Sequence, residues 1–179
     1  NNNLVLNVME CLNDNLDNLP FPSRDTINTV LEKKSSVNMV TARGCSGNCE
    51  FCSVISFFRL SNGKVWRTRS IENIVDEIEE LSKKGVKYIK MVDDSFVDGN
   101  RDEKWCKDFA DEIERRNLKV KLRGQIRADK VTDQILCDLK RAGFFSFACG
   151  FENGSQSALS RMNKKAIVED NKKILELFI

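Results

Sequence analysis

The stretch SIENIVDEIEELSKKGVKYIKMVDD, Ser70 to Asp94, spells one complete structural unit. Ser70 is a residue type that caps helix N-termini through its side-chain oxygen. Ile71, Ile74, Val75, Ile78 and Leu81 then recur on one face of a 3.6-residue period. Lys83-Lys84 followed by Gly85 is a helix stop. Tyr88-Ile89-Lys90-Met91-Val92 reads as a strand, and Asp93-Asp94 ends it.

The same grammar repeats on both sides. Val37–Ala42 is a short apolar strand upstream. Downstream, Trp105, Phe109 and Ile113 mark a helix ending near Asn117, and Val120 and Leu122 mark a strand. Ile135, Leu136 and Leu139 mark a third helix, stopped by Gly143. Phe144 to Cys149 is a nearly continuous apolar strand of the buried, parallel kind. Ser155 is placed to cap a short helix with Ala158, Leu159 and Met162, and an amphipathic segment runs over 166–179. The helix stops at Gly85, Asn117 and Gly143 lie 32 and 26 residues apart, the length of one helix-plus-strand unit. Such alternation predicts an α/β fold with a parallel sheet. Four strands are visible, whereas a closed eight-stranded barrel takes about 250 residues. The expectation is a partial parallel (β/α) barrel of about four units, continued beyond the last helix.

Residues 1–35 differ. They are rich in Asn and hold both prolines, in Leu19-Pro20-Phe21-Pro22-Ser23-Arg24-Asp25. Prolines so close favour extended backbone. The predicted organisation is an N-terminal arm or linker over 1–35 and a core over 36–179.

Composition excludes several classes. The 179 residues are 41% hydrophobic and 31% charged, which fits a globular chain. No apolar run reaches the length of a membrane span, and no secretory signal opens the chain. Lys and Arg number 29 against 27 acidic residues, so no nucleic-acid partner is indicated. There is no histidine, which removes His-based catalysis and His metal ligands from this chain. Seven cysteines without a signal argue for a reducing, cytoplasmic setting rather than a disulfide framework.

In parallel α/β folds the working residues gather past the C-terminal ends of strands. Here Cys45, Cys49 and Cys52 follow the first strand, Asp93 and Asp94 the second, Gln125 and Arg127 the third, and Gly150 and Glu152 the fourth. Four polar sets on one rim are hard to assign to packing. Cys45-Ser46-Gly47-Asn48-Cys49-Glu50-Phe51-Cys52 is a C-x3-C-x2-C triplet. Structural zinc wants four ligands, and no fourth is near. Three thiolates on a cubane iron–sulfur cluster leave one iron open to a ligand.

This triplet, with an aromatic before its third cysteine, resembles the signature of the radical S-adenosylmethionine (SAM) superfamily. The resemblance covers about Asn38 to Lys165. It implies a full or partial (β/α) barrel, commonly of six units. It implies a [4Fe–4S] cluster on Cys45, Cys49 and Cys52, and SAM cleaved to methionine and a 5′-deoxyadenosyl radical. By the same resemblance Phe51 lies against adenine, Asp93 or Asp94 receives the SAM ammonium, Arg127 meets the SAM carboxylate and Glu152 meets the ribose. The family often has Gly-Gly-Glu where this chain has Val92-Asp93-Asp94. Leu19 to Asp25 resembles the connector after a cobalamin-binding domain, and Asp93-Asp94-Ser95-Phe96, Ile126-Arg127-Ala128-Asp129 and Val65 to Ser70 are similar to the cobalamin-dependent group. Phe151 to Gln156 resembles the methylthiotransferase-like enzymes. The implied partners are SAM, an organic or peptide substrate, a flavodoxin- or ferredoxin-type electron donor, and further domains of a parent protein, one of which would bring cobalamin. The competing classes are an iron–sulfur electron carrier, which needs a fourth close cysteine, and a zinc-stabilised binding module.

Overall fold

A computed structural model describes residues 11–177. The chain forms α1 (Ile27–Glu32), β1 (Val37–Met39), β2 (Ala42–Arg43), α2 (Ser53–Phe58), β3 (Arg67–Thr68), α3 (Ile71–Lys83), β4 (Tyr88–Met91), α4 (Glu103–Arg115), β5 (Lys121–Ile126), α5 (Asp133–Arg141), β6 (Phe144–Cys149), α6 (Gln156–Arg161) and α7 (Val168–Leu177). Strands β1, β4, β5 and β6 lie side by side in that order, all parallel, and β2 and β3 form a small antiparallel pair. A sheet whose strand order follows the chain, without reversal, is the wall of a barrel rather than a doubly wound sheet. No helix of the described residues is long and apolar enough to cross a membrane.

Capping and periodicity explain the helices. The side chains of Ser70, Asp102 and Thr132 accept hydrogen bonds from the backbone N–H groups of Asn73, Trp105 and Ile135. Gly85 and Gly143 follow α3 and α5 at φ +89° and +101°, a conformation that favours glycine. The core lies between the helices and one face of the sheet. Ile74, Val75, Ile78 and Leu81 of α3, Phe109 and Ile113 of α4, and Ile135 and Leu139 of α5 pack against Met39, Ile89, Met91, Leu122, Ile126 and Phe144. Strands β4 and β5 accordingly alternate exposed and buried residues along their length.

Two expectations need correction. First, β6 is not buried on both faces. Only Phe144 is buried, and Phe145 is 57% exposed. The strand is at the sheet edge, and a register irregularity at Leu122/Arg123 pushes Phe145 out of the pleat, where it meets Tyr88 edge-on. The segment before β1, within the predicted arm or linker, packs on the core. Leu16 is buried, Arg24 binds Glu77 at 2.6 Å and the Asn38 carbonyl at 3.0 Å, and Phe21 lies under the Arg69 guanidinium. Its Asn-rich residues 1–10, like 178–179 of the final segment, lie outside the described residues. Second, Ser155 precedes α6 but makes no capping bond; its hydroxyl meets that of Ser157. Cys137, on α5, is exposed.

Candidate functional site

The Cys45–Cys52 loop leaves β2 at Gly44, whose φ of +86° and close approach to the Val65 carbonyl admit no side chain. All three thiols are free and half-buried. The loop is tied to the ends of the strands beside it. Gly44 N–H donates to Asp94 Oδ2 at 3.1 Å. Ser46 N–H donates to Asp98 Oδ2 at 2.8 Å, and the Ser46 hydroxyl to Asp98 Oδ1. Arg127 Nη1 lies 3.8 Å from Cys45 Sγ. Glu50 N–H donates to the Met162 carbonyl, just past α6, at 3.0 Å. Chain from after β4, β5 and β6 thus meets one cysteine loop.

The sequence motif Asp93-Asp94 divides into two different residues. Asp93 is buried. Its oxygens take the Thr41 N–H at 2.6 Å, the Thr41 hydroxyl, and Arg101 at 3.3 Å. Asp94 is half-buried, and its second oxygen has no hydrogen-bond partner among the described residues. Burial raises the Asp94 pKa above its ordinary value and the Asp93 charge adds to the rise, against the Gly44 N–H. Asp94 faces a depression of about 240 Å³, lined also by Lys90, Arg123, Gln125 and Ala148.

Arg127 is buried and bidentate to Asp129, at 3.0 and 2.8 Å. Burial works against its charge, but Asp129 and Cys45 outweigh that and hold its pKa above the ordinary value. Its third nitrogen occupies the space a Cβ on Gly47 would take. Glu152 sits at φ +59°, a left-handed conformation costing about 1–3 kcal/mol for a side chain of this kind. Its Oε1 accepts from the buried Lys164 at 2.9 Å, and Lys164 also donates to the Gly150 carbonyl at 2.6 Å. The Phe51 ring is 56% exposed beside Ala158, Arg161 and Met162.

Two residues were not singled out from the sequence. Asp98 anchors the cysteine loop; burial raises its pKa, but the Ser46 and Gly99 hydrogen bonds win and hold it below the ordinary value. Arg101 is fully buried and donates to Thr41, Thr68 and the Phe96 carbonyl, with the Trp105 and Phe96 rings over it at 4.5 and 4.8 Å. It joins the β1–β2 link, β3 and the chain just past β4 beneath the site. The Asp98-Gly99 pair was the available signal for the first; for Arg101 no local pattern exists. Arg67 and Arg69 are buried; Arg69 binds Glu77 at 2.6 Å.

The donor set suits an iron–sulfur cubane. Among the described residues no three Cys, Asp or Glu side chains gather closely enough to hold a single ion. A cubane does not ask for that, since its irons occupy separate corners and each takes one thiolate. Burial pushes the Cys45 thiol above its ordinary value and Asp98 adds to this, while the Gly47 N–H and Arg127 favour the thiolate. Elsewhere burial pushes Cys106 to about 12 and Cys149 to about 11, so both remain thiols.

A sequence model of the radical SAM superfamily matches residues 39–179. An uncharacterized methyltransferase of Pyrococcus horikoshii is 29% identical over 154 residues, 84% of this chain and 32% of its own length. The anaerobic magnesium-protoporphyrin IX monomethyl ester cyclase of Cereibacter sphaeroides is 31% identical over 142 residues, 76% of this chain and 22% of its own. The chain thus spans about a third or less of these relatives. The radical SAM methyltransferase TsrM of Kitasatospora setae, solved with tryptophan and a SAM analogue, superposes with a TM-score of 0.70 at 17% identity, covering 95% of this chain and 32% of that one. The same enzyme with cobalamin and a [4Fe–4S] cluster gives a TM-score of 0.64 at 19% identity, over 80% of this chain and 28% of that one.

Proposed function

The chain belongs to the radical SAM superfamily, whose cofactors are a [4Fe–4S] cluster and SAM, and we propose that it is the cluster- and SAM-binding core of an enzyme that modifies an organic or peptide substrate, with methyl transfer as the leading chemistry. Cys45, Cys49 and Cys52 would hold the cluster. The chemistry such a cluster would supply, when bound and reduced, is one electron for cleavage of SAM to methionine and a 5′-deoxyadenosyl radical. The observation that carries this reading is the convergence of Asp94, Asp98 and Arg127, from the ends of β4 and β5, on the cysteine loop. The methyltransferase names of relatives support the reaction class. Cobalamin would arrive through a domain other than the one described.

The polar residues divide the work. Asp94 keeps one carboxylate oxygen free and is penalised for its charge until a cation arrives, which suits the SAM ammonium. Glu152 has a second oxygen available to ribose hydroxyls. The exposed Phe51 ring suits adenine. Arg127, engaged by Asp129 and turned to Cys45, is assigned to the thiolate rather than to the SAM carboxylate. Asp93 and Arg101 position the rim and touch no ligand.

Asp94→Ala tests this. Loss of a hydrogen bond to a charged group costs about 1.5–3 kcal/mol, or about ten- to a hundredfold in affinity. SAM titrated into anaerobically reconstituted protein should bind that much more weakly to the variant, at unchanged iron content. Asp111→Ala, on the surface of α4, should change neither. Equal SAM affinity in Asp94→Ala and the wild type would remove Asp94 from the site.

A further inference from the structure

The sheet has a second face, opposite the helices, and its charge is unbalanced. Register places Asn38, Lys90, Arg123 and Ser146 in one row across β1, β4, β5 and β6. One step below, Lys121 stands opposite Tyr88. Lys90, Lys121 and Arg123 are all exposed. None of the three side chains has a hydrogen bond or ion pair among the described residues. The helix surfaces behave otherwise: Lys83, Lys84, Lys104 and Lys107 each bind a carboxylate four residues away at 2.5 Å.

Lys90 and Arg123 face one another on adjacent strands, which lie about 4.8 Å apart. Like charges so opposed destabilise a sheet. Here the cost is not offset by a neighbouring carboxylate. The two cations also line both depressions on this face. One, of about 200 Å³, runs down past Lys34, Tyr88, Lys121 and Phe145. The other, of about 240 Å³, runs up to Asp94. Val92 lies one side-chain step, about 6.6 Å, above Lys90 on the same face. An anionic group held at Lys90 and Arg123 would therefore leave the rest of its molecule pointing toward Asp94 and the cysteine loop.

We propose that this face binds the anionic end of the substrate, a carboxylate or phosphate, through Lys90 and Arg123, with Lys121 adding charge and Tyr88 and Phe145 giving an apolar flank. The inference rests on the reading of the rim as the SAM site only for what lies above the anion. Planar guanidinium beside ammonium gives a bidentate donor and a point charge, a pair suited to an oxyanion. A substrate ending in such a group would be oriented by it, the reacting atom being carried to the rim.

The test needs neither iron nor SAM, so its failure is separate from that of the SAM site. The purified chain is titrated calorimetrically at low ionic strength with pyrophosphate in one arm and citrate in another. Saturable binding of at least one is expected, and which one identifies the oxyanion. Lys90→Gln and Arg123→Gln should each weaken it about tenfold or more. Both should melt no lower than the wild type, because each removes a repulsion. Lys140→Gln, at an exposed lysine on α5 with no ion pair among the described residues, should bind as wild type does. Absence of saturable binding by the wild type, or an equal loss in Lys140→Gln, overturns the proposal.

Discussion

Asp93 and Asp94 show how little adjacent identical residues need share. Each is a carboxylate past the end of β4, yet one is sealed against Arg101 and the other is open on the rim. Removing one partner of a buried ion pair strands the other charge, at a cost of about 3–5 kcal/mol. Asp93→Ala should therefore lower the urea midpoint steeply, whereas Asp94→Ala, leaving no buried charge behind, should hardly move it. Equal midpoints for the two variants would contradict the assignment of Asp93 to structure. The sequence made the pair visible as candidates but not the division. The alternation of buried Ile89, Met91 and Asp93 does carry the distinction, because the pleat continues past the last ladder bond. Arg101 was illegible for another reason. Its partners are Thr41, Thr68 and Asp93, brought together only by the fold, and no local spacing records that.

At the scale of elements, helices α3, α4 and α5 were legible because each combines a cap, an apolar stripe and a stop. The short pieces were not. β2, β3 and α2 have two, two and six residues, too few for a period to declare itself. The β6 strand misled by composition, since an apolar run cannot say whether a second layer covers it. Helix α4 makes a prediction about acid. Arg115 foremost, with Arg116, holds the Glu112 carboxyl down to about 2, from an ordinary 4.5. Arg116 also reaches Asp76 and Glu79 of α3, so this group ties two helices. A carboxyl depressed on folding contributes stability that is full above its unfolded pKa and lost as pH falls through the folded value. Glu112→Gln should thus be less stable than wild type at pH 7. The gap between their urea midpoints should close as pH falls from about 4.5 to about 2. A gap that stayed constant across that window would show that the ion pair adds nothing.

For the whole molecule, the parallel barrel wall and the common rim were legible because alternating βα units leave few topologies and because strand ends collect chemistry. The charged inner face was not, as Lys90, Lys121 and Arg123 read singly as ordinary solvated residues. Register alone sets them side by side. The account as a whole stands on the three cysteines as ligands of one cluster that meets SAM. Its most direct test is anaerobic reconstitution with iron and sulfide, followed by electron paramagnetic resonance of the reduced protein with and without SAM. Iron and sulfide should each reach about four per chain, the number in a cubane cluster. The signal should shift on adding SAM, and the Cys45→Ala, Cys49→Ala, Cys52→Ala triple variant should hold no cluster, while Cys106→Ala and Cys137→Ala should. Zinc in place of iron, or a full cluster in the triple variant, would contradict the account.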